Sequence, residues 1–135
     1  MDKITIPIKY FLYARKSSES EDRQVASIDS QIDELKTLAQ REGLQIIDIV
    51  TESHSAKDIG RPLFNKMIER IRAGEADGII CWKLDRLARN AADAGNIILM
   101  LQKGIIKHIK THEKNYYPTD NVMLMYFEFG IADQF

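Results

Sequence analysis

The 135-residue sequence has one cysteine, no long apolar run and almost no net charge. A single cysteine cannot form a disulfide within the chain, so no disulfide framework supports the fold. No apolar stretch approaches the length of a membrane span, and residues 1–7 lack the long apolar core of a signal peptide. We therefore expect a protein of the reducing cytoplasm with no membrane partner, in which Cys81 is a buried structural thiol.

The formal net charge of -1 argues against a protein that wraps DNA by bulk electrostatics. The charge is uneven, however, because acids outnumber bases in residues 18–52 and bases outnumber acids in residues 53–114. One surface can therefore face phosphate while another does not. No glycine-rich phosphate loop and no paired acids for magnesium follow the first apolar run, which weighs against a mononucleotide-binding or receiver-type α/β domain.

The hydrophobic pattern predicts a single α/β domain. A length of 135 residues with 44% hydrophobic content suits one domain with a sizeable core. Strand-like runs at about 8–13, 44–50, 78–82 and 105–111 alternate with helix-like segments at about 25–42, 62–73 and 91–103. This alternation predicts βαβ units and a mainly parallel sheet, with Gly43 as the stop of the first helix. Residues 114–120 are the most loop-like stretch.

Two polar clusters follow predicted strands. Arg15 and Ser17 come after the first apolar run, and Asp85, Arg86 and Arg89 come after the third. The carboxyl ends of neighbouring parallel strands meet at one edge of a sheet, where ligands bind. A serine without an evident base needs stabilisation of developing charge, and the arginine fork suits phosphate oxygens. We predict phosphoryl transfer with no metal required, the cations being Arg15, Arg61, Arg86 and Arg89.

The order and spacing of four motifs resemble the catalytic domain of serine recombinases, the resolvase and invertase superfamily. The motifs are Tyr13-x-Arg15-x-Ser17, Ser27-Ile28-Asp29-x-Gln31, Arg61-Pro62 and Leu84-Asp85-Arg86-Leu87-x-Arg89-Asn90. Residues 16–19 and 53–56 look most like the large serine recombinases, the integrases and transposases of mobile elements. The resemblance implies a three-layer fold, with helices on both faces of the central sheet.

The resemblance also implies a mechanism. Ser17 would attack the scissile DNA phosphate, forming a 5′-phosphoserine link and freeing a 3′-hydroxyl, without ATP, metal or other cofactor. Arg15, Arg86 and Arg89 would bind and activate the phosphate, Arg61 would assist, and Gln31 and Asp85 would orient the site. A carboxylate among arginines has a physical rationale of its own, since it holds their geometry and offsets their repulsion.

The same resemblance carries expectations about organisation and partners. Residues 1–135 would be the N-terminal catalytic domain of a longer recombinase, with the DNA-binding domains absent and the apolar segment 120–135 starting an interface helix. The expected partners are double-stranded DNA recombination sites, further copies of the chain in a homodimer or tetramer, and a directionality factor. The isolated fragment would be inactive or nearly so. The alternative function is a non-catalytic self-association module of the same fold.

Several of these site residues also have an ordinary structural explanation. Ser17 and Ser18 also suit a turn or helix cap, and Arg86 and Arg89 also suit a solvated helical face paired with Asp85 or Asp93. Arg61 before Pro62 also suits a surface charge at a helix start, and Gln31 is as well explained by a hydrogen bond at the edge of the core.

Histidines and lysines outside the clusters have ordinary explanations. His54, His108 and His112 lack a carboxylate or cysteine that would complete a metal site, so we expect surface histidines. The alternating Ile and Lys residues of 103–114 suit an approach to DNA and equally suit an ordinary half-exposed strand. Lys83 suits contact with phosphate, but lysines at strand ends are usually solvated, so we leave it out of the core set of site residues.

Overall fold

The computed structural model of the chain describes residues 7–15, 28–52, 62–88 and 91–128. The strands are β1 (Lys9–Arg15), β2 (Gln45–Glu52), β3 (Gly78–Ile80), β4 (His108–Lys110) and β5 (Asn115–Tyr116). The helices are α1 (Ile28–Glu42), α2 (Pro62–Arg72), α3 (Ala91–Gln102) and α4 (Val122–Glu128), and one 3-10 turn covers Leu84–Arg86. Each predicted strand and helix therefore has a counterpart in the described part of the chain.

The five strands form one sheet in the order β2-β1-β3-β4-β5. The first four strands in this order are parallel, and β5 runs antiparallel to β4. Strand β1 lies between β2 and β3 and is buried on both faces. Its residues Tyr10, Leu12 and Ala14 pack in the cluster that contains α1, whereas Phe11 and Tyr13 pack in the cluster that contains α2 and α3. The predicted three-layer α/β fold with a mainly parallel sheet is confirmed.

The ends of α1 and α2 follow from local chemistry. Helix α1 ends at Glu42 because Gly43 adopts a φ of 72°, which side chains with a Cβ rarely tolerate, and the Leu44 N–H returns to the Ala39 carbonyl. Helix α2 begins at Pro62, whose fixed φ suits a first helical turn. The stop at Gly43 and the start at Pro62 are thus as the sequence predicts.

The sequence prediction is wrong around the fourth strand. Strand β4 covers three residues rather than the whole of 105–111, and the stretch 114–120, expected to be a loop, contains β5. In β5, Asn115 pairs with Lys110 and Tyr116 pairs with Ile109. A two-residue strand has no periodicity that a sequence pattern can reveal, and it forms here because Tyr116 is buried against the core.

The Tyr10 side chain on β1 passes over Gly78 of β3 and reaches His108 on β4. Tyr10, Gly78 and His108 are register partners on β1, β3 and β4. A Cβ at position 78 would overlap Tyr10 Cδ2, so glycine is needed there. The Tyr10 hydroxyl lies 2.6 Å from His108 Nδ1, and His108 Nε2 lies 2.9 Å from Asn115 Oδ1. The expectation of a surface histidine is therefore wrong for His108, which is buried.

The half-exposed pattern expected for this strand is also wrong. Lys110 on β4 is buried, and its Nζ lies 3.4 Å from Glu42 Oε2 at the end of α1. The alternation of Ile and Lys misleads because both faces of β4 are covered. Burial of the lysine is tolerated where a carboxylate offsets the cost of removing its charge from water.

Helix α4 leaves apolar side chains uncovered within one chain. Met125 is buried in the core cluster, and Val122 and Tyr126 pack partly against it. Met123 and Leu124 are 68% and 63% exposed. One side of α4 therefore packs against the core, whereas a helix of this apolar composition is expected to be buried on several sides. In the described parts of the chain, no helix is long and apolar enough to cross a membrane.

Candidate active site

The carboxyl edge of the sheet brings the two sequence clusters together. Strands β1 and β3 are hydrogen-bonded neighbours and run parallel, so their carboxyl ends lie side by side. Arg15, the last residue of β1, donates from Nε to the Arg86 carbonyl at 3.1 Å and from one terminal nitrogen to the Asp85 carbonyl at 3.0 Å. These contacts join the first and last of the four motifs.

The segment that receives Arg15 is a fixed 3-10 turn. Arg86 donates its N–H to the Lys83 carbonyl at 3.0 Å, and Leu87 donates to the Leu84 carbonyl at 2.9 Å. Leu84 and Leu87 are buried and anchor the turn in the core. A turn that is tethered at both ends holds its carbonyls in place, so Arg15 is oriented by backbone that does not move independently of the sheet.

Arg86 is buried, with 7% of its surface exposed, whereas Asp85 is exposed. The two contacts from Arg15 use peptide oxygens rather than the Asp85 carboxylate. Arg15 is thus contacted by the backbone carbonyl of Asp85, and the orienting role expected for the Asp85 carboxylate stays a prediction. A largely buried arginine at this edge of the sheet carries a charge and hydrogen-bond donors that suit an anion.

Gln31 lies in the first turn of α1 and is buried on the face that carries Leu35 and Leu38. Burial is compatible with a contact to substrate and with a hydrogen bond at the edge of the core, so the role of Gln31 in orienting the site stays a prediction. Ser17, Arg61 and Arg89 lie outside the described residues.

The described neighbours give the place of these three residues along the chain. Ser17 follows the end of β1 by two residues, Arg61 immediately precedes α2, and Arg89 follows the buried Ala88.

Sequence reasoning missed Glu52, a buried carboxylate at the end of β2. Its Oε1 accepts hydrogen bonds from the Tyr13 hydroxyl at 2.7 Å and the Phe64 N–H at 3.2 Å, and its Oε2 accepts one from the Leu63 N–H at 3.0 Å. Two of the N–H groups that lack a partner inside α2 are thereby satisfied. Glu52 links β1, which carries Arg15, to the helix that begins after Arg61. An acid at the end of the β2 pattern, two residues after Val50, was the available signal.

The Cys81 thiol at this end of the sheet is fully buried. Burial raises the pKa of Cys81 well above its usual range, and the Asp85 charge adds to the effect. A thiol so placed stays protonated, and thiols react as thiolates. The predicted structural role of Cys81 is confirmed by its complete burial. Among the residues that the structure describes, no group of three His, Cys, Asp or Glu side chains is placed to hold a metal ion.

Comparisons with known proteins identify the family. The family model of the resolvase N-terminal domain matches residues 10–132, and the chain belongs to this family. The Transposon Tn21 resolvase of Escherichia coli is 35% identical over 75 residues, which are 54% of this chain and 39% of that protein. The chain thus spans well under half of the length of this curated relative.

Solved structures share the fold over nearly the whole chain. A resolvase family site-specific recombinase from Streptococcus pneumoniae is 26% identical, with a TM-score of 0.70 over 94% of this chain and 87% of that one. The N-terminal catalytic domain of TP901-1 integrase is 23% identical, with a TM-score of 0.64 over 93% of this chain and 95% of that one. The catalytic domain of ISC1926 TnpA, an IS607-like serine recombinase, has a TM-score of 0.61 at 19% identity and covers 93% of this chain and 80% of its own. The recognised resemblance to serine recombinase catalytic domains is confirmed.

Proposed function

We propose that this chain is the catalytic domain of a site-specific DNA recombinase that uses Ser17 as its nucleophile. The observation that carries the proposal is the pair of hydrogen bonds from Arg15 to the Asp85 and Arg86 carbonyls. They join the strand that leads to Ser17 with the turn that leads to Arg89. Family membership supports the reaction class, and Arg15 and the buried Arg86 supply charge suited to a phosphodiester.

In the proposed reaction, Ser17 Oγ forms a bond to the scissile phosphorus as the bond from phosphorus to the 3′ oxygen breaks. The electron pair leaves with the 3′ oxygen, which takes up a proton and becomes a free hydroxyl, while Oγ loses its own. Arg15, Arg86 and Arg89 stabilise the phosphoryl oxygens, with Arg61 assisting. The 5′-phosphoserine link conserves the energy of the phosphodiester, so attack by a new 3′-hydroxyl rejoins strands without ATP. Arginine charge takes the place of a metal ion.

We further propose that DNA sites are engaged by copies of the chain acting together with DNA-binding segments outside residues 1–135. The net charge of -1 supports a need for such help. The exposed Met123 and Leu124 on α4 support self-association through that helix. Met123→Glu is expected to reduce self-association measured by analytical ultracentrifugation. Leu63→Glu, which changes an exposed apolar residue of α2, is the matched control and should leave it unchanged.

The reaction class is tested by cleavage polarity. The natural protein that contains these residues is incubated, in excess chelator, with end-labelled DNA that spans the ends of its element. We expect protein attached to the 5′ phosphate and a free 3′-hydroxyl, at the same rate with and without chelator. Attachment to the 3′ phosphate, or cleavage that requires a divalent metal, would contradict the mechanism. Self-association and synapsis of two DNA sites with no cleavage would favour the non-catalytic alternative.

A further inference from the structure

A polar cavity of about 250 Å³ lies beside the candidate site, at the same edge of the sheet. One wall is the segment after β3, including Trp82, Lys83 and Asp85, and the other is the hairpin between β4 and β5, including Glu113 and Lys114. Asp85 belongs to this wall and to the turn that Arg15 contacts. The cavity therefore adjoins the place where the proposed scissile phosphate binds, and no step of the proposed reaction uses it.

The walls of this cavity are held together by backbone hydrogen bonds. The His112 N–H donates to the Trp82 carbonyl at 3.2 Å, which continues the pairing of β3 and β4 beyond the strands. The hairpin is closed by the Thr111 N–H to the Lys114 carbonyl at 2.9 Å, and Thr111 Oγ1 accepts the Lys114 N–H at 3.0 Å. The two lysines therefore project from backbone of fixed separation, and ligand binding does not require the walls to order first.

The chemistry of the lining matches one nucleotide rather than a bare anion. Lys83 offers an ammonium that makes no hydrogen bond or ion pair in the part of the chain that the structure describes, and it is exposed. The carboxylates of Asp85 and Glu113 are exposed acceptors, which suit the exocyclic amino groups of bases and would not be needed for phosphate. Trp82 contributes an aromatic surface to the same wall, held by stacking on His112 at 4.3 Å between ring centroids.

We propose that this cavity binds one unpaired nucleotide of the DNA strand next to the scissile phosphate. Lys83 and Lys114 hold the phosphodiester, and the carboxylates accept hydrogen bonds from the base. The inference rests on the proposed function for its substrate, DNA. It makes Lys83 a substrate-binding residue, whereas the sequence alone leaves a phosphate contact and ordinary solvation both open for this lysine.

The chain carries its own reporter, because Trp82 is the single tryptophan. A short single-stranded oligonucleotide is titrated into the protein, with excitation at a wavelength that tyrosine does not absorb. We expect saturable quenching of Trp82 fluorescence, and a Kd raised roughly fivefold or more in Lys83→Gln. The matched control is Lys103→Gln, which removes the same charge from the exposed end of α3 and should leave the Kd nearly unchanged. An abasic oligonucleotide of equal length should bind more weakly than the intact one.

Three results would overturn the inference: no quenching at millimolar oligonucleotide, equal losses of affinity in the two lysine variants, or equal binding of the intact and abasic oligonucleotides. The first excludes a site, the second indicates general electrostatic attraction, and the third indicates a phosphate contact without base recognition. The measurement is independent of Ser17 chemistry. Covalent attachment of DNA without quenching would overturn the nucleotide site alone, whereas quenching without attachment would overturn the proposed reaction alone.

Discussion

Replacing Glu52 with glutamine should destabilise the fold strongly for so small a chemical change. The carboxylate accepts three hydrogen bonds: those from the Tyr13 hydroxyl and the Phe64 N–H are buried, and the one from the Leu63 N–H is partly buried. A glutamine side chain has the same shape but only one acceptor oxygen. In its better orientation this oxygen accepts the bonds from Tyr13 and Phe64, and the amide N–H₂ group then faces the Leu63 N–H. The partly buried Leu63 N–H then faces another donor.

The magnitude follows from these contacts. A buried donor without an acceptor costs about 1–3 kcal/mol, and loss of a negative charge at a helix N-terminus costs about 0.3–1 kcal/mol. We expect Glu52→Gln to lower the free energy of unfolding by about 1–4 kcal/mol, compared with the ~5–15 kcal/mol typical of a whole domain. Tyr13→Phe removes one of the three bonds and should cost about 1–2 kcal/mol.

The assay is urea unfolding followed by circular dichroism, with linear extrapolation to water. Glu69→Gln, a matched change on the exposed side of α2, should stay within about 0.5 kcal/mol of the unmodified chain. The double variant of Tyr13 and Glu52 should lose less than the sum of the single losses, because the two residues share a bond. A Glu52→Gln loss equal to that of Glu69→Gln would refute the role of this carboxylate in joining β1 to α2.

Three further predictions concern other described residues. Gly78→Ala should lower the free energy of unfolding by about 1–3 kcal/mol in the same assay, because the added Cβ would overlap the Tyr10 ring. Gly95→Ala in α3 is the control and should be neutral or stabilising. Similar losses of stability in both variants would contradict the packing of Tyr10 over Gly78. Burial lowers the pKa of His108, so as pH falls below about 6.5 the unfolded chain takes up a proton that the folded chain does not, and the free energy of unfolding should fall. This loss should shrink in His108→Gln but persist in His112→Gln, which changes an exposed histidine. An unchanged pH profile in His108→Gln would contradict this prediction. Arg15→Lys should slow DNA cleavage by about 100-fold or more, because an ammonium cannot bridge two carbonyls and also face phosphate, and cleavage at the original rate would refute that geometry.

The sequence predicts the larger elements well because their signals are local. Helix periodicity, a proline at the first turn of α2 and a glycine after α1 indicate the helices, and apolar runs indicate β1, β2 and β3. The convergence of Arg15 on the turn at Asp85 and Arg86 also follows, because parallel neighbouring strands present their carboxyl ends at one edge.

The features that sequence reasoning misses depend on pairing between distant segments. Strand β5 exists because Tyr116 packs on the core, and His108 is buried because Gly78 lets Tyr10 cross β3 to reach it. Lys110 lies inside because Glu42, far away in sequence, offers a carboxylate. None of these partners can be assigned from spacing along the chain. Glu52 is a similar case, since its three donors come from two other elements.

The central claim is that Ser17 is the nucleophile, and mapping of the covalent adduct tests it most directly. The natural protein that contains these residues is incubated with DNA spanning its element ends under conditions that stall rejoining, then digested and analysed by mass spectrometry. The account predicts a nucleotide adduct on Ser17 that is absent in Ser17→Ala and retained in Ser18→Ala. An adduct on Ser18, or unmodified protein despite demonstrated synapsis of two DNA sites, would contradict it.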